Sequence, residues 1–523
     1  MAEALFEKVA DIQQQVPFIG HQILDIITAG MYDDPLMVYR EYIQNSVDSI
    51  DAAVQEGKLH NGEGIISILI SGLNRTIVIE DNGGGIPRAK ARRLLLDLGS
   101  SPKDGSGQRG FRGIGRLGGL AYCDVVRFET RSAKGENITV VEWDKKRLDE
   151  LTKQLNRDTT LIAIVKNITR TFTRAATEKD PHHFFRVQMV NVRRFHSDRL
   201  MDIKMIREYL SQVAPVPYDN QTFSFAKQLD KYFSIIPGYR GYNISLNGER
   251  IFRPYSDKIQ ISDGVTDEIG DIECFEFSTT HAEPLALGWY AKTSFKASLP
   301  SQVVMRGIRV RHGNLEVGDE YFLSPYFTER RFATWNIGEI QLCDHKVRPN
   351  ARRDGFEQTP EYERFLEHAS FLGRRLSLLC RKYSIERSLK QRTEKRLKDL
   401  EQLLNKSYLF IDKHHHENLV NIVRQELDKL SPLVNKRKCF EGLISDYEKV
   451  ESKLNQLLKA PSFVDDCLDG RSIRHIEKRD IVRNLIRLIL NEYDGSSSAN
   501  DLIQKVLKPF LKSGGKKRFV PEH

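Results

Sequence analysis

The sequence of residues 41–48 is E-Y-I-Q-N-S-V-D, and its three polar anchors fit one face of a helix. Glu41, Asn45 and Asp48 follow the spacing i, i+4, i+7, while apolar residues at 43, 47, 50 and 54 form a separate stripe. A carboxylate on such a face can activate water for attack on phosphorus, and an amide oxygen can bind magnesium. We predict Glu41 as a general base and Asn45 as a Mg²⁺ ligand; the alternative is an ordinary surface helix.

A second motif, D-N-G-G-G at residues 81–85, follows two β-rich runs at 65–70 and 76–80 that flank a turn and predict a hairpin. The carboxylate of Asp81, fixed at a strand end, can accept a hydrogen bond from an exocyclic amine such as that of adenine. Gly83 and Gly85 permit positive φ and a close approach of the backbone to a flat ring. Taken alone, the motif is also compatible with a plain loop.

A third motif is G-F-R-G-I-G, with glycines at Gly110, Gly113 and Gly115 around Ile114. It follows a stretch rich in Gly, Ser and Lys that we predict to be a lid. Glycines ahead of a helix start let backbone N–H groups face phosphate oxygens. A dinucleotide-binding fold uses similar spacing, but there the motif follows the first strand, whereas here it follows Asp81.

The last motif is D-T-T at residues 158–160. The apolar run at 161–165 predicts a strand, so the hydroxyl of Thr159 or Thr160 could reach adenine or Asp81. This motif is weak by itself, because a β-branched residue at a strand start is common. The other three motifs are also weak when each is taken alone. Together and in this order, the four motifs predict a protein that binds and hydrolyses ATP.

Length and composition indicate several soluble domains. The chain has 523 residues, of which 40% are hydrophobic and 29% charged, and no stretch approaches the roughly 20 apolar residues of a membrane helix. We therefore expect a cytoplasmic protein with no membrane association. The net charge of +9 is compatible with a polyanionic partner, and equally with a solvated basic surface.

The pattern along the chain predicts an α/β (α+β) fold with a helical C-terminal region. We expect an ATP-binding domain at 1–211, a middle α/β domain at 212–360, a helical or coiled-coil dimerisation region at 361–460, and a small helical unit at 461–523 with a basic tail.

The four motifs resemble those of the GHKL ATPases, the superfamily of gyrase B, HtpG-type heat-shock chaperones, histidine kinases and MutL. Residues 109–124 are especially similar to the lid segment of HtpG-type chaperones. The resemblance implies a two-layer α/β sandwich with ATP between helices and lid, and contact of Lys103 with phosphate. In one departure, Asp158 stands where relatives carry Gly, so the choice between Thr159 and Thr160 stays open.

The resemblance also implies a ribosomal-protein-like middle domain that supplies a cation to the γ-phosphate. Lys292, Lys296 and Arg306 are the possible cations, and their spacing does not select among them. The stretch R-P-N-A-R-R-D at 348–354 is similar to one in HtpG-like ATPases. Because its Arg and Asp residues lie so close together, we interpret it as an ion-pair cluster at a domain junction.

The first functional hypothesis is an ATP-gated homodimeric clamp that holds a protein client, as HtpG-like chaperones do, or DNA, as MORC-like ATPases do. The basic tail at 516–518 favours DNA, and the lid favours HtpG. A second hypothesis is a histidine kinase with His416 as phosphoacceptor. A third is a nucleotide-sensing module of a multi-protein system such as antiphage defence.

Overall fold

The computed structural model describes residues 34–97, 115–133, 137–153, 160–194, 197–278, 284–293, 299–350, 352–406, 413–436 and 442–459, with isolated positions between 481 and 505. The chain divides into two compact units, Met1–Cys380 and Arg381–His523. The predicted four-segment division remains a prediction.

The first helix in the described part of this unit is α1 (Met37–Gln55), whose apolar stripe is buried as its spacing predicts: Ile43 and Val47 are inaccessible to solvent. The helix is followed by strands β1 (Ile65–Ser71) and β2 (Thr76–Asp81), which pair antiparallel, so the predicted hairpin is confirmed. Helix α2 (Arg88–Leu96) comes next, and a short 3₁₀ helix spans Gly115–Ala121.

The remaining elements of this N-terminal layer complete an α/β arrangement. They are strands β3 (Cys123–Arg131) and β4 (Ile138–Asp144), helices α3 (Lys145–Thr152) and α4 (Leu161–Ile168), strands β5 (Thr169–Arg174) and β6 (Phe184–Val192), and helix α5 (Ile203–Val213). One face of the sheet packs against the helices in a shared hydrophobic core.

The predicted strand at residues 161–165 is wrong, because this run is part of helix α4. Thr160 is the N-cap: its Oγ1 accepts a hydrogen bond from the N–H of Ala163, at 3.3 Å. Ile164 and Ile168, four residues apart, are buried on one side of the helix. The apolar run was too short for its period to separate a helix from a strand.

The first sheet also includes two strands from beyond residue 212. After helix α6 (Ala226–Phe233), strand β7 (Asn243–Leu246) pairs parallel with β1, and β8 (Glu249–Arg250) pairs with β7. The sheet therefore has eight strands in the order β5-β4-β3-β6-β2-β1-β7-β8. The sequence predicted β7 correctly as a strand and assigned it to the middle domain, since nothing local reveals its partner.

The second sheet has six strands in the order β13-β12-β14-β11-β10-β9. Its strands are β9 (Lys258–Ser262), β10 (Val265–Ser278), β11 (Pro284–Thr293), β12 (Gly307–His312), β13 (Leu315–Val317) and β14 (Ile337–Leu342). Its core contains a group of aromatic residues, among which Trp289 and Phe223 pack with ring centroids 5.7 Å apart.

Buried ion pairs hold the connection between the two sheets. Glu339 on β14 is fully buried between the guanidinium groups of Arg253 and Arg311. The same arginines donate to backbone carbonyls of the connecting segment: Arg253 to Val216 at 2.9 Å and Arg311 to Ala214 at 3.3 Å. Each guanidinium therefore satisfies a buried carboxylate and a buried carbonyl at once.

Beyond residue 360 the described structure is helical, as predicted. Helix α7 (Pro360–Lys406) is followed by α8 (Lys413–Lys436) and α9 (Ile444–Lys459). The later part of α7 packs with α8 and α9 around a core of leucine and valine side chains. Across the described residues, every helix is too short or too polar to cross a membrane.

Candidate nucleotide site

Asp81 is the last residue of β2 and is buried at 1% exposure. Its Oδ1 accepts hydrogen bonds from the Ser49 hydroxyl and from the N–H of Gly83, both at 3.0 Å. Its Oδ2 is buried without a hydrogen-bond partner among the described residues. Burial raises the pKa of Asp81 to about 7, although the nearby Ser46 and Ser49 hydroxyls and the Gly83 N–H oppose the shift.

The glycines after Asp81 lie where side chains would not fit. A Cβ on Gly83 would be 2.2 Å from the Ser49 hydroxyl oxygen, and one on Gly85 would be 1.9 Å from the carbonyl oxygen of Arg131. Gly85 also has a φ of +62°, which favours glycine. The segment therefore packs closely between α1 and the end of β3. Because it has no side chains there, its backbone can also approach a ligand closely.

Two residues that the sequence did not single out hold this glycine segment. His183, just before β6, donates from Nδ1 to the carbonyl oxygen of Gly83, at 2.8 Å. Thr130 on β3 accepts a hydrogen bond from the N–H of Ile86 at 2.7 Å and donates to the carbonyl of Phe184 at 3.2 Å. His183 directly precedes β6, the neighbour of β2, and Thr130 lies on β3, the next strand of the sheet. The sequence had instead predicted Thr159 or Thr160 to reach adenine or Asp81.

Glu41 on α1 lies against the last glycine of the G-x-x-G-x-G motif. A Cβ on Gly115 would be 2.2 Å from Glu41 Oε2, so a side chain at this position would displace the carboxylate. The following 3₁₀ helix is tied to the same helix: the Tyr42 hydroxyl donates to the carbonyl of Arg116 and accepts from the N–H of Gly119, each at 3.1 Å. The structure therefore brings the first and third motifs together.

Arg353 also contacts Glu41. Its Nε donates to Glu41 Oε1 at 3.2 Å, and both side chains are largely buried. Arg353 has a φ of +58°, and its carbonyl accepts from the N–H of Gly318 at 3.0 Å and from Arg40 at 3.4 Å. The 348–354 stretch thus reaches the N-terminal helix, from a position 312 residues away in sequence.

The three cations suggested by the resemblance have other surroundings or lie outside the described part. Lys292 is half-exposed and pairs with Asp271 at 3.0 Å. Arg306 pairs with Glu320 at 3.1 Å and donates to the Tyr321 hydroxyl at 2.6 Å. Lys296 lies outside the described residues. Within the described part of the chain, the cation that pairs with Glu41 is Arg353.

Asn45 and Asp48 occupy the same face of α1 as Glu41. Asn45 is partly exposed and Asp48 is buried. In the described part of the chain, no three His, Cys, Asp or Glu side chains are grouped as a metal cage. A single amide oxygen such as that of Asn45 nevertheless fits Mg²⁺, which commonly takes one or two protein ligands and completes its shell with phosphate oxygens and water.

The other predicted ligands lie outside the described residues: Lys103, Gly110, Gly113, Ile114 and Thr159. Thr160 is described and exposed, and its hydroxyl caps α4.

The region that carries these residues is similar to known proteins. Residues 36–172 match the family described as histidine kinase-, DNA gyrase B- and HSP90-like ATPase. The resemblance of the N-terminal part of the chain to the GHKL ATPases is therefore confirmed for residues 36–172. A stretch of 176 residues is 23% identical to the chaperone protein HtpG of Polaromonas sp., a match that covers 29% of this chain and 28% of the chaperone. The similarity to HtpG thus concerns less than a third of either protein.

Proposed function

We infer that this protein is a Mg²⁺-dependent ATPase, converting ATP and water to ADP and phosphate, that works as a nucleotide-gated homodimeric clamp. The observation that carries the proposal is the convergence of Glu41, Gly115 and Arg353 at one end of α1. Asp81 and its glycine segment border the same helix through Ser49.

The base-binding end of the proposed site is Asp81. Its unpaired, buried Oδ2 fits a donor such as the exocyclic amine of adenine, because a buried acceptor without a partner costs free energy that a ligand N–H would recover. The paired Oδ1 fixes the orientation of the carboxylate before the ligand arrives.

At the phosphate end, Glu41 accepts a proton from the attacking water, which raises the nucleophilicity of that water. Arg353 holds the Glu41 carboxylate in place and brings a positive charge that can stabilise negative charge developing on the transferred phosphoryl group. Asn45 would hold Mg²⁺, which neutralises phosphate charge when bound. Asp48, Lys103 and the lid glycines would complete the enclosure.

The clamp is supported by the similarity to a chaperone and by the contact between Arg353 and α1. A lid that closes over the nucleotide changes the surroundings of Glu41, and Arg353 transmits that change to the loop at 348–354. A clamp of this kind holds either a protein client or DNA. His416 is buried within α8, which disfavours it as a phosphoacceptor in a histidine kinase.

The test of this function is the variant Glu41→Ala together with the parent chain. We expect the variant to bind ATP in calorimetry with Mg²⁺ and to release no phosphate, because it keeps Asp81 and loses the base. Light scattering should show a compact dimer with a non-hydrolysable ATP analogue and not with ADP. Phosphate release at the parental rate would refute Glu41 as the base, and a size unaffected by nucleotide would favour a nucleotide-sensing module.

A further inference from the structure

The positive charge of this chain is concentrated on one segment of helix α7. Eight of the 18 residues from Arg381 to Lys398 are Lys or Arg, and two are Glu. The segment therefore carries a net charge of +6, while the whole chain carries +9. We call residues 381–398 the basic segment.

Most of these charges face solvent. Thr393 and Leu397 are buried, and Leu397 belongs to the core that α7 shares with α8 and α9. The exposed basic residues of the segment are Arg381, Lys382, Arg392, Lys395, Arg396 and Lys398. Ile385 is the one large apolar side chain exposed within it. The segment thus presents a charged surface with little apolar area.

One cluster of charges in the segment opposes helix stability. Arg392 lies three residues before Lys395 and four before Arg396, and like charges at these spacings repel on a helix. Two ion pairs offset part of this repulsion, Lys398 with Glu394 at 2.8 Å and Arg396 with Glu426 at 3.8 Å. Lys382, Arg392 and Lys395 form no ion pair with a described residue.

The next turns of the same helix show the opposite arrangement. Glu401 pairs with both Lys449 and Lys453 on α9, each at 2.8 Å, and its pKa falls to about 2 because of these lysines. Where this bundle uses charge for packing, acid and base are matched. The charges of Lys382, Arg392 and Lys395, which lack such a match among the described residues, are therefore better explained by a partner than by helix stability.

We propose that the basic segment binds the phosphate backbone of duplex nucleic acid without sequence preference. Eighteen residues of helix extend for about 27 Å, the length of about eight base pairs at 3.4 Å each. An amphipathic membrane helix needs a broad apolar face, and a protein interface needs apolar anchors at its centre. The segment offers only Ile385, whereas exposed Lys and Arg are what phosphate neutralisation requires. This binding is separate from the proposed ATP hydrolysis.

The experiment measures binding of labelled random-sequence duplex DNA to the full chain by fluorescence anisotropy over a salt series. The variant Lys382→Glu/Arg392→Glu/Lys395→Glu should bind at least tenfold more weakly, and the slope of log affinity against log salt should fall by about 3. The new glutamates at 392 and 395 can pair with Arg396 and Lys398, whereas the one at 382 lies four residues before Glu386. Helical content and thermal stability, measured by circular dichroism for both triple variants, should therefore stay close to those of the parent. The matched control is Lys227→Glu/Lys231→Glu/Lys258→Glu, which makes the same charge change at exposed positions of the other unit and should bind DNA like the parent.

Asp81→Asn, which removes the proposed adenine acceptor, should leave DNA binding without ATP unchanged, so failure of the ATPase proposal would not be mistaken for failure of this one. Equal loss of DNA affinity in both triple variants would overturn the proposal, because it would show a general charge effect. The parent chain is also tested with phosphatidylcholine–phosphatidylserine vesicles and with polyglutamate. If it binds either probe as tightly as DNA, and if the variant Lys382→Glu/Arg392→Glu/Lys395→Glu loses that binding, the nucleic-acid assignment is overturned in favour of a membrane or an acidic protein.

Discussion

Replacement of Asp81 by Asn should change how stability depends on pH. The native carboxyl group has a pKa near 7 against an unperturbed value of 3.8, so the folded state binds its proton more tightly than the unfolded state. Ionisation of Asp81 therefore opposes folding. The stability contributed by the protonated form of Asp81 is lost as the pH rises from about 4 to about 7. Above that range, the free-energy cost of burying the ionised carboxylate no longer changes with pH. An amide at this position does not titrate.

The magnitude follows from the two pKa values. The full shift corresponds to about 4 kcal/mol, of which about 3 kcal/mol should appear between pH 5 and pH 8. Relative to the Asn variant, the parent chain should lose this amount of stability over that interval. The Asn side chain keeps an oxygen for Ser49 and Gly83, and any cost of burying its amide is the same at every pH.

Hydrogen–deuterium exchange of the β2 peptide containing Ile77 and Ile79 can measure this difference. Comparison of parent and variant at the same pH cancels the intrinsic exchange rates. The control is Glu178→Gln, which removes a carboxylate from an exposed position of the same domain. If the difference between parent and Asp81→Asn changes by less than about 1 kcal/mol over this interval, Asp81 is not the desolvated acceptor described above.

Three further substitutions probe the site. Arg353→Ala should lower kcat by about a hundredfold with little change in KM for ATP, because the guanidinium acts on developing charge; an equal rise in KM would assign it to ground-state binding. His183→Ala should weaken ATP binding about five- to tenfold in calorimetry, because the carbonyl of Gly83 loses its donor. His183→Asn should restore the affinity by donating to the same carbonyl. If it does not, His183 does not position the glycine segment. Gly85→Ala should destabilise the protein by at least about 2 kcal/mol more than Gly57→Ala in urea denaturation, since both glycines have positive φ and only Gly85 is crowded; equal losses would exclude the steric contribution.

The sequence predicted those features whose determinants are local. The stripe of α1 and the β1–β2 hairpin follow from periodicity and turn residues, and Asp81 falls at the predicted strand end. Leu161–Val165 was mistaken for a strand because a short apolar run lacks a decisive period. The Arg353–Glu41 contact joins residues far apart in sequence, and His183 carries no recognisable motif, so neither could be found without the fold.

The parallel pairing of β7 with β1 decides where this polypeptide can be cut. Cleavage after residue 211 would strip β1 of its outer neighbour and leave its N–H and C=O groups unpaired, beside the solvent-facing side chains of Ile65 and Leu69. In such a fragment the exposed edge of β1 can pair with strands of other molecules, so we expect the fragment to aggregate and precipitate. A fragment carried through Arg250 keeps that flank covered, so limited proteolysis should spare residues 243–250 along with the catalytic layer.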